Sequence, residues 1–271
     1  MAIIVQPISP IAVNLFGLEV RWYALAYVAA FIVGYYLFKK LSAQTNQKSE
    51  IRNQKYFDDL LTYVILGTII GGRLGYVLFY NLSFFIYNPL EIFMIWHGGM
   101  SFHGGLLGIM AAVFLFAKRN VRNTLAIWDL TAVVGPIGLF FGRIANFINM
   151  EVMGRATDGS LGIIFAGTKD QTPRHASPLY EAALEGVVLF VIMFCLWRFT
   201  KLRERAGALS GVFAMGYAVF RIFCEQFREP DAQIGFLTGW GLTMGQLLSA
   251  GMLVAGAILF TIALRRKIYT S

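Results

Sequence analysis

Four arginines lie in or at the edge of apolar segments, where a charge needs a partner. They are Arg21, Arg73, Arg143 and Arg221. A charge at the centre of a bilayer costs roughly 2.5–3.5 kcal/mol on the lenient insertion scale, so each arginine predicts a carboxylate, a wet cavity or a bound phosphate. The planar guanidinium can hold phosphate oxygens by two hydrogen bonds. For Arg21, at a predicted helix start, snorkelling to lipid headgroups is an equally good interpretation.

A polar motif at 142–154 closes one of these apolar segments. If it is helical, residues spaced by three and four positions share one face. That face would carry Arg143, Asn146, Phe147, Met150 and Glu151. The face is polar where lipid would favour apolar side chains, so the motif predicts a binding site.

A second polar face follows from the spacing of Tyr217, Arg221, Glu225 and Arg228. In a soluble protein we would interpret this pattern as an Arg–Glu–Arg ladder that only stabilises the helix. Inside a membrane, the desolvation of the charges favours a functional interpretation.

Two histidines, His97 and His103, lie in a stretch from His97 to Gly105 that also contains four glycines. Glycines at this density are typical of tight helix packing, and taken alone they favour that interpretation. Imidazole, however, commonly moves protons near neutral pH. We therefore predict that His103 lies at the same outer level as Arg143 and Arg221 and takes part in chemistry.

The elements that position these residues are predicted to be membrane helices. The 271 residues are 57% hydrophobic and 14% charged, and they include 24 phenylalanines, more apolar surface than a soluble fold of this size covers. We predict an all-α protein with one membrane domain over residues 1–271 and no strand. Seven predicted spans lie at 17–38, 58–80, 91–117, 126–147, 179–199, 208–227 and 237–264.

The basic residues orient these spans, because lysine and arginine collect on the cytoplasmic side. Of the 23 basic residues, 15 fall in alternate connections and the C-terminal tail. They are Lys39, Lys40, Lys48, Arg52, Lys55, Lys118, Arg119, Arg122, Arg198, Lys201, Arg203, Arg205, Arg265, Arg266 and Lys267. This predicts an N-terminus outside, a C-terminus in the cytoplasm and an extracytoplasmic loop at 148–178 that forms a small head. The uncharged first sixteen residues argue against a cleaved signal peptide.

Several kinds of site are excluded. The net charge of +8 follows topology rather than one basic face, so no nucleic acid is expected. Cys195 and Cys224 lie in apolar segments and predict neither a disulfide framework nor a metal site. The three histidines have no zinc spacing, and no nucleotide-binding loop or Gly-x-Ser-x-Gly elbow is present. We expect no cofactor.

The chain resembles the prolipoprotein diacylglyceryl transferases in five blocks that run along its length. The blocks are 71–77, 97–105, 142–154 with the spacing G-R-x-x-N-F-x-N-x-E-x-x-G, 174–181, and 221–233 with its Pro-Asp-Ala-Gln end. One block departs from the family pattern, because His-Pro-Ser-Gln-Leu-Tyr-Glu is replaced by His-Ala-Ser-Pro-Leu-Tyr-Glu at 175–181. Proline is tolerated in the first turn of a helix, so the change puts the loop shape in doubt but not the activity.

The resemblance implies a multi-pass enzyme of the bacterial inner membrane with its active site on the extracytoplasmic side. It would move the diacylglyceryl group of phosphatidylglycerol to the lipobox cysteine of a prolipoprotein signal peptide and release glycerol phosphate, the first step of lipoprotein maturation. The same resemblance implies that the protein interacts with membrane lipids and that six residues bind phosphatidylglycerol. These six are Arg143, Asn146, Glu151, Gly154, Glu225 and Arg73.

The catalytic group implied by the resemblance is His103, Arg221, Tyr23 and Tyr217. A free thiol of pKa about 8.5 is only slightly ionised near neutral pH, so the reaction needs a base or a positive field. His103 is the first candidate for the base, and Tyr23 or Tyr217 stays open as an alternative. In this hypothesis Arg143 and Arg221 neutralise the leaving phosphate.

Three other classes compete with this interpretation. Transporters and channels also carry intramembrane charges, but they predict interruptions repeated in two halves of the chain, and no such repeat is found. A seven-helix receptor would not need clustered arginines with glutamate partners. Another lipid headgroup transferase is separated from the family only by the motifs.

Overall fold

A computed structural model shows a predominantly helical chain. The structure describes residues 2–15, 18–44, 54–120, 123–159, 162–230, 235–239 and 241–266. Some residues used in the sequence analysis lie outside the described residues. These are Lys48, Arg52, Arg122, Asp231, Ala232, Gln233 and Lys267.

Eight helices are present in the described ranges. They are α1 (Trp22–Ser42), α2 (Gln54–Phe79), α3 (Leu82–Tyr87), α4 (Phe102–Arg119), α5 (Thr124–Ile148), α6 (Ser177–Phe199), α7 (Ala208–Cys224) and α8 (Met244–Arg265). Five of them, α1, α2, α5, α6 and α8, are long and apolar enough to cross a membrane, and α7 is a shorter apolar helix. The chain is therefore a multi-pass membrane protein.

Each of the seven predicted segments overlaps one of these helices, but three predicted starts were wrong. The predicted start at 17 is too early because a strand occupies 18–21. The predicted start at 91 falls in 3-10 turns at Pro89–Phe93 and Ile95–His97, and Ser101 caps the following helix. The predicted start at 237 precedes a capping box in which Thr243 and Gln246 satisfy each other's backbone groups.

The expectation of no strand was also wrong. Strand β1 (Ile3–Val5) pairs in parallel with β4 (Ile163–Phe165), and β2 (Ile11–Leu15) pairs antiparallel with β3 (Leu18–Arg21). These strands have three to five residues each and are rich in isoleucine and valine, which favour the extended backbone. They were missed because runs of three to five residues are too short to show the alternation that identifies a strand.

A small apolar core lies beneath the β1–β4 pair. Its buried members are Ile163, Phe165 and Ala176, and partly buried side chains pack against them. Those side chains are Val5, Phe147, Met150, Met153 and Leu179. Most of this core comes from the segment predicted to form a head at 148–178, in which Ser160 and Leu161 lie outside the described residues.

The contacts divide the chain into two compact units, 1–38 with 129–270, and 39–128. In the second unit, α2 packs on α4 through glycines. A Cβ built on any of these glycines would lie 2.0–2.7 Å from an atom of the opposing backbone, so no larger residue allows the same approach. The glycines are Gly67, Gly71, Gly75, Gly104 and Gly108.

The first unit contains an acidic cap that joins two helices. The buried Asp129 of α5 accepts hydrogen bonds from the backbone of Gly207 and Ser210 and from the Ser210 hydroxyl, each 2.7 Å long. Gly207 precedes α7 with a φ of 96°, which favours glycine. A carboxylate at a helix N-terminus satisfies free amides, so Asp129 fixes the start of α7 against α5.

Candidate active site

Two of the predicted arginines meet at one buried carboxylate in the first unit. Arg143 Nε of α5 lies 2.7 Å from Glu181 Oε2, and Arg221 Nη1 of α7 lies 2.9 Å from Glu181 Oε1. The Glu181 side chain is 1% exposed, whereas those of Arg143 and Arg221 are 16% and 12% exposed. The carboxylate thus aligns the two guanidiniums and leaves part of each accessible.

Glu181 and a second carboxylate, Glu185, stand on a widened turn of α6. Residues Ala182–Val188 form a π-helical turn, which Glu181 immediately precedes. The Oε2 atom of Glu185 lies 3.3 Å from Arg143 Nη2, and the residue is completely buried. Such turns interrupt α-helices most often at functional sites.

The sequence analysis missed both glutamates as site residues. Glu181 appeared only as the end of a motif, and Glu185 was not considered. A signal was available, because both lie inside an apolar segment, where a carboxylate is as unfavourable as an arginine. The same cost that identified Arg143 and Arg221 therefore identifies their partners.

The predicted Arg221–Glu225 pair is confirmed, with Arg221 Nη2 at 2.8 Å from Glu225 Oε2. The predicted continuation of one helical face to Arg228 was wrong, because α7 ends at Cys224. Arg228 Nη1 instead lies 3.6 Å from Glu181 Oε1. Glu225 is also held from the start of α8, where Thr243 Oγ1 donates to its Oε1 at 3.0 Å.

The predicted helical face from Arg143 to Glu151 was wrong at its far end. Helix α5 ends at Ile148, and Met150 and Val152 have φ values of 57° and 59°. A positive φ is strained for a β-branched residue and persists only when the surroundings enforce it. One enforcing contact comes from the buried Ser177, which donates to the Val152 carbonyl at 2.8 Å.

The strained turn brings Glu151 back to the end of α5. The buried Asn146 donates through Nδ2 to Glu151 Oε2 at 3.2 Å and to Tyr23 Oη at 3.3 Å. Asn146, Glu151 and Tyr23 thus form one hydrogen-bonded group. Tyr217 is buried and stacks on Phe213 one turn before Arg221.

Gly154 lies where no side chain fits. A Cβ on this residue would be 2.4 Å from the Phe227 carbonyl oxygen and 2.7 Å from the Cβ of His175. Its amide donates to the His175 carbonyl at 2.8 Å, and it forms an antiparallel bridge with Arg228. Gly154 therefore joins three segments of the chain.

The proline that departs from the family pattern, Pro178, lies in the first turn of α6, as predicted.

The remaining predicted residues belong to the unit formed by 39–128. Arg73 is buried near the end of α2 and donates to five backbone carbonyls, those of Glu91, Ile92, Met94, Gly98 and Gly99. Together with His97 and Glu91, which pair at 2.8 Å, it lines a cavity of about 270 Å³. His103 is exposed in the first turn of α4, which begins at Phe102 within the His97–Gly105 stretch.

The described residues contain no group of three His, Cys, Asp or Glu side chains that could hold a metal ion. The cluster around Glu181 instead combines partly accessible guanidiniums with buried carboxylates that fix their orientation. Such an arrangement binds oxyanions, because guanidinium donors match phosphate geometry.

Comparisons with known proteins agree with this chemistry. The model of the family described as prolipoprotein diacylglyceryl transferase matches residues 10–262. A protein of Azospirillum brasilense named phosphatidylglycerol–prolipoprotein diacylglyceryl transferase is 50% identical over 98% of this chain and 98% of its own. Proteins of the same name from Rhodospirillum rubrum (49% identical, 96% of this chain, 94% of theirs) and Ehrlichia canis (44%, 92% and 94%) are also similar. The chain belongs to the prolipoprotein diacylglyceryl transferase family.

Proposed function

We propose that this protein transfers the diacylglyceryl group of phosphatidylglycerol to the lipobox cysteine in the signal peptide of prolipoproteins. The observation that carries the proposal is the alignment of Arg143 and Arg221 on the buried Glu181. The names and near full-length similarity of the relatives support the same activity.

The reaction is an alkyl transfer. The cysteine sulfur attacks the glycerol carbon that carries the phosphate, a carbon–sulfur bond forms, and the carbon–oxygen bond to phosphate breaks. Glycerol phosphate leaves with the bonding electron pair, and the thiol proton passes to a base. The nucleophile comes from the substrate, so the enzyme needs no cysteine of its own.

Arg143 and Arg221 are proposed to bind the phosphate and to stabilise its charge as it leaves. Their environment supports this role, since Glu181, Glu185 and Glu225 pair with the two guanidiniums while both side chains stay partly exposed. Asn146 and Glu151 are proposed to bind the glycerol hydroxyls, because an amide and a carboxylate offer both a donor and an acceptor.

Gly154 is proposed to shape the binding site through its close backbone contacts. Arg73 is kept as a lipid-binding prediction, although its five carbonyl contacts favour a role in organising the loop at 88–99.

His103 is proposed to accept the thiol proton. Its exposed position at the start of α4 is compatible with access by a substrate. Tyr23 and Tyr217 are the alternatives. Tyr23 Oη already accepts a hydrogen bond from Asn146, which links it to the Arg143 motif.

The protein is proposed to reside in the bacterial inner membrane with seven spans, an outer N-terminus and a cytoplasmic C-terminus. The two spans beyond the five long helices would be α4 and α7. The alternating distribution of lysine and arginine supports this orientation. The apolar core around Phe165 supports a small head on the extracytoplasmic side.

The test is a two-substrate assay with purified protein, phosphatidylglycerol and a lipobox peptide, in which glycerol phosphate release is measured. Release should require both substrates, should collapse in Arg143→Ala and Arg221→Ala, and should fall in His103→Gln if His103 is the base. Absence of release from well-folded wild-type protein would contradict the transferase assignment, and release without peptide would indicate a phospholipase.

A further inference from the structure

We propose that Glu185 takes up a proton when the phosphate of the lipid substrate binds beside Arg143. Lipid binding would then be coupled to proton uptake from solvent. The inference rests on the proposed function, because it requires an anionic phospholipid as the ligand. It assigns a role to a buried carboxylate for which the transfer reaction itself has no use.

The cluster around Arg143 is balanced in charge before a lipid binds. Its three guanidiniums face three carboxylates, so with all six groups ionised the charges of +3 and −3 sum to zero. The groups are those of Arg143, Arg221, Arg228, Glu181, Glu185 and Glu225. A phosphodiester adds one negative charge, and an uncompensated charge is strongly unfavourable in a desolvated site. Uptake of one proton restores the balance.

Glu185 is the carboxylate whose charge is least well supported. Glu181 pairs with Arg143 and Arg221 at 2.7 and 2.9 Å, and Glu225 pairs with Arg221 at 2.8 Å. Within the described residues Glu185 pairs with Arg143 alone, at 3.3 Å, and its buried Oε1 atom has neither a hydrogen bond nor an ion pair. Among the same residues the Oε2 atoms of Glu181 and Glu225 also accept no hydrogen bond, but each lies within 2.8 Å of an arginine nitrogen. A carboxylate with fewer arginine partners is more easily protonated, so the proton should bind to Glu185.

The other groups that face Glu185 do not offer an alternative acceptor. Arg143 from α5 and Arg221 from α7 stay charged throughout the working pH range. Tyr217 and Cys224 of α7 also interact with Glu185, but side chains of these types already carry their protons near neutral pH. Glu181, on the same helix, is held by the arginines. A proton that enters this cluster therefore binds to Glu185.

The coupling has a measurable consequence. When binding takes up one proton, the dissociation constant for the lipid rises about tenfold per pH unit wherever Glu185 is ionised in the free protein. When glycerol phosphate leaves, the proton returns to solvent. Glu185→Gln imitates the neutral acid at every pH, so its affinity for the lipid should not depend on pH.

The experiment adds phosphatidylglycerol micelles to the detergent-solubilised protein, without peptide, in weakly buffered solution containing a pH indicator. Leaving out the peptide removes the substrate thiol as a source of protons. Wild-type protein should take up about one proton per bound lipid, and Glu185→Gln about none. Glu229→Gln, which changes an exposed carboxylate, is the matched control and should behave as wild type. Diacylglycerol, which lacks the phosphate, should cause no uptake.

The outcomes separate this inference from the proposed function. Lipid binding by wild-type protein without proton uptake overturns the role of Glu185 and leaves the transferase intact. Proton uptake that persists in Glu185→Gln also overturns it. Failure of phosphatidylglycerol to bind at all overturns the proposed function, and this inference with it. If Glu185→Gln does not fold, binding of phosphatidylglycerol to the wild-type protein without proton uptake still overturns the role of Glu185, and a dissociation constant that does not rise with pH overturns it as well.

Discussion

The two units of the chain bury arginines in different ways. Arg73, in the unit of 39–128, is 5% exposed, and within the described residues its guanidinium contacts backbone carbonyls and the ring of Phe85. Arg143 and Arg221, in the other unit, meet carboxylates and keep side-chain exposures of 16% and 12%. Burial therefore does not identify a binding arginine. Carboxylate partners and a partly exposed guanidinium are better indicators of such an arginine.

The carbonyl partners explain why Arg73 is suited to structure. The 3-10 turns and glycines after α3 present five carbonyls to the Arg73 guanidinium, and two of them, those of Glu91 and Met94, also accept a backbone amide. A buried carbonyl without a donor is very unfavourable in an apolar region. One guanidinium satisfies several of them at once. All of its nitrogens donate to these carbonyls, so a phosphate would have to displace them.

The two units also differ in how their helices pack, because one uses glycines and the other uses ion pairs. Helices α2 and α4 approach each other through glycines. Helices α5, α6 and α7 are joined by ion pairs around Glu181 and by the Asp129 cap. Glycine contacts fix a distance between backbones, whereas an ion-pair cluster can exchange one anion for another. The second kind of contact suits a site that binds and releases a phosphate.

The largest expected effect is on kcat/KM, and it should distinguish substitution of Arg143 from substitution of Arg73. Arg143→Lys should lower kcat/KM by about 10²–10³-fold, because lysine cannot reproduce two oriented donors on the leaving phosphate. Arg73→Lys should leave kcat/KM of the folded protein within a few fold but lower Tm. At least two of the five carbonyls would lose their hydrogen bond to this side chain, at about 1–3 kcal/mol for each bond. Kinetics and thermal unfolding in the same detergent measure both effects. A severe kinetic loss in Arg73→Lys with unchanged Tm would place Arg73 in the lipid site instead.

A second, smaller effect tests the glycine contact. In Gly108→Ala the new Cβ would lie 2.0 Å from the Gly67 carbonyl oxygen, so the helices must separate, at about 1–3 kcal/mol for overpacking. Gly105→Ala on the same helix meets nothing closer than 3.7 Å and should be neutral or slightly stabilising, because alanine is the better helix former. Thermal unfolding compares the two variants. Equal Tm values would show that the close approach is not needed for stability.

Much of the helical arrangement could be predicted from the sequence, since long apolar runs have few alternatives to a spanning helix. The predictions failed where short-range backbone effects decide. The strands next to α1, the 3-10 turns before α4 and the left-handed residues Met150 and Val152 lie in sequences whose composition also suits a helix. Turn geometry and capping by Ser101 or Thr243 set these boundaries.

Only those parts of the candidate site that follow from spacing along a single helix could be predicted. Arg143 with Asn146, and Arg221 with Glu225, could be found because helical spacing aligns the members of each pair within one segment. Glu181 belongs to another helix, and its contact with both arginines depends on tertiary packing that periodicity does not encode. His103 and Arg73 belong to the other unit, so their assignment to the same site remains a prediction.

The smallest expected effect concerns an arginine–carboxylate pair that water surrounds. Arg174 Nε lies 2.9 Å from Asp170 Oδ2, with side-chain exposures of 33% and 52%, against 1% for Glu181 in the buried pair. The pKa of Asp170 is lowered to about 2, first by hydrogen bonds from Thr172 and then by Arg174. Because the pKa is lower in the folded protein than the ordinary 3.8, the ionised carboxylate stabilises the fold above about pH 4.

This stabilisation should be lost as the pH falls from about 4 to about 2. Asp170→Asn should therefore flatten the acid side of the Tm profile slightly, with no change near neutral pH beyond the small worth of an exposed pair. Arg174→Gln should keep most of the acid dependence, because Thr172 is the larger cause of the shift. If Arg174→Gln instead abolishes the dependence, the guanidinium dominates even in water. The guanidinium would then be the main partner of its carboxylate in the exposed pair, as it is in the buried pairs, despite the difference in exposure.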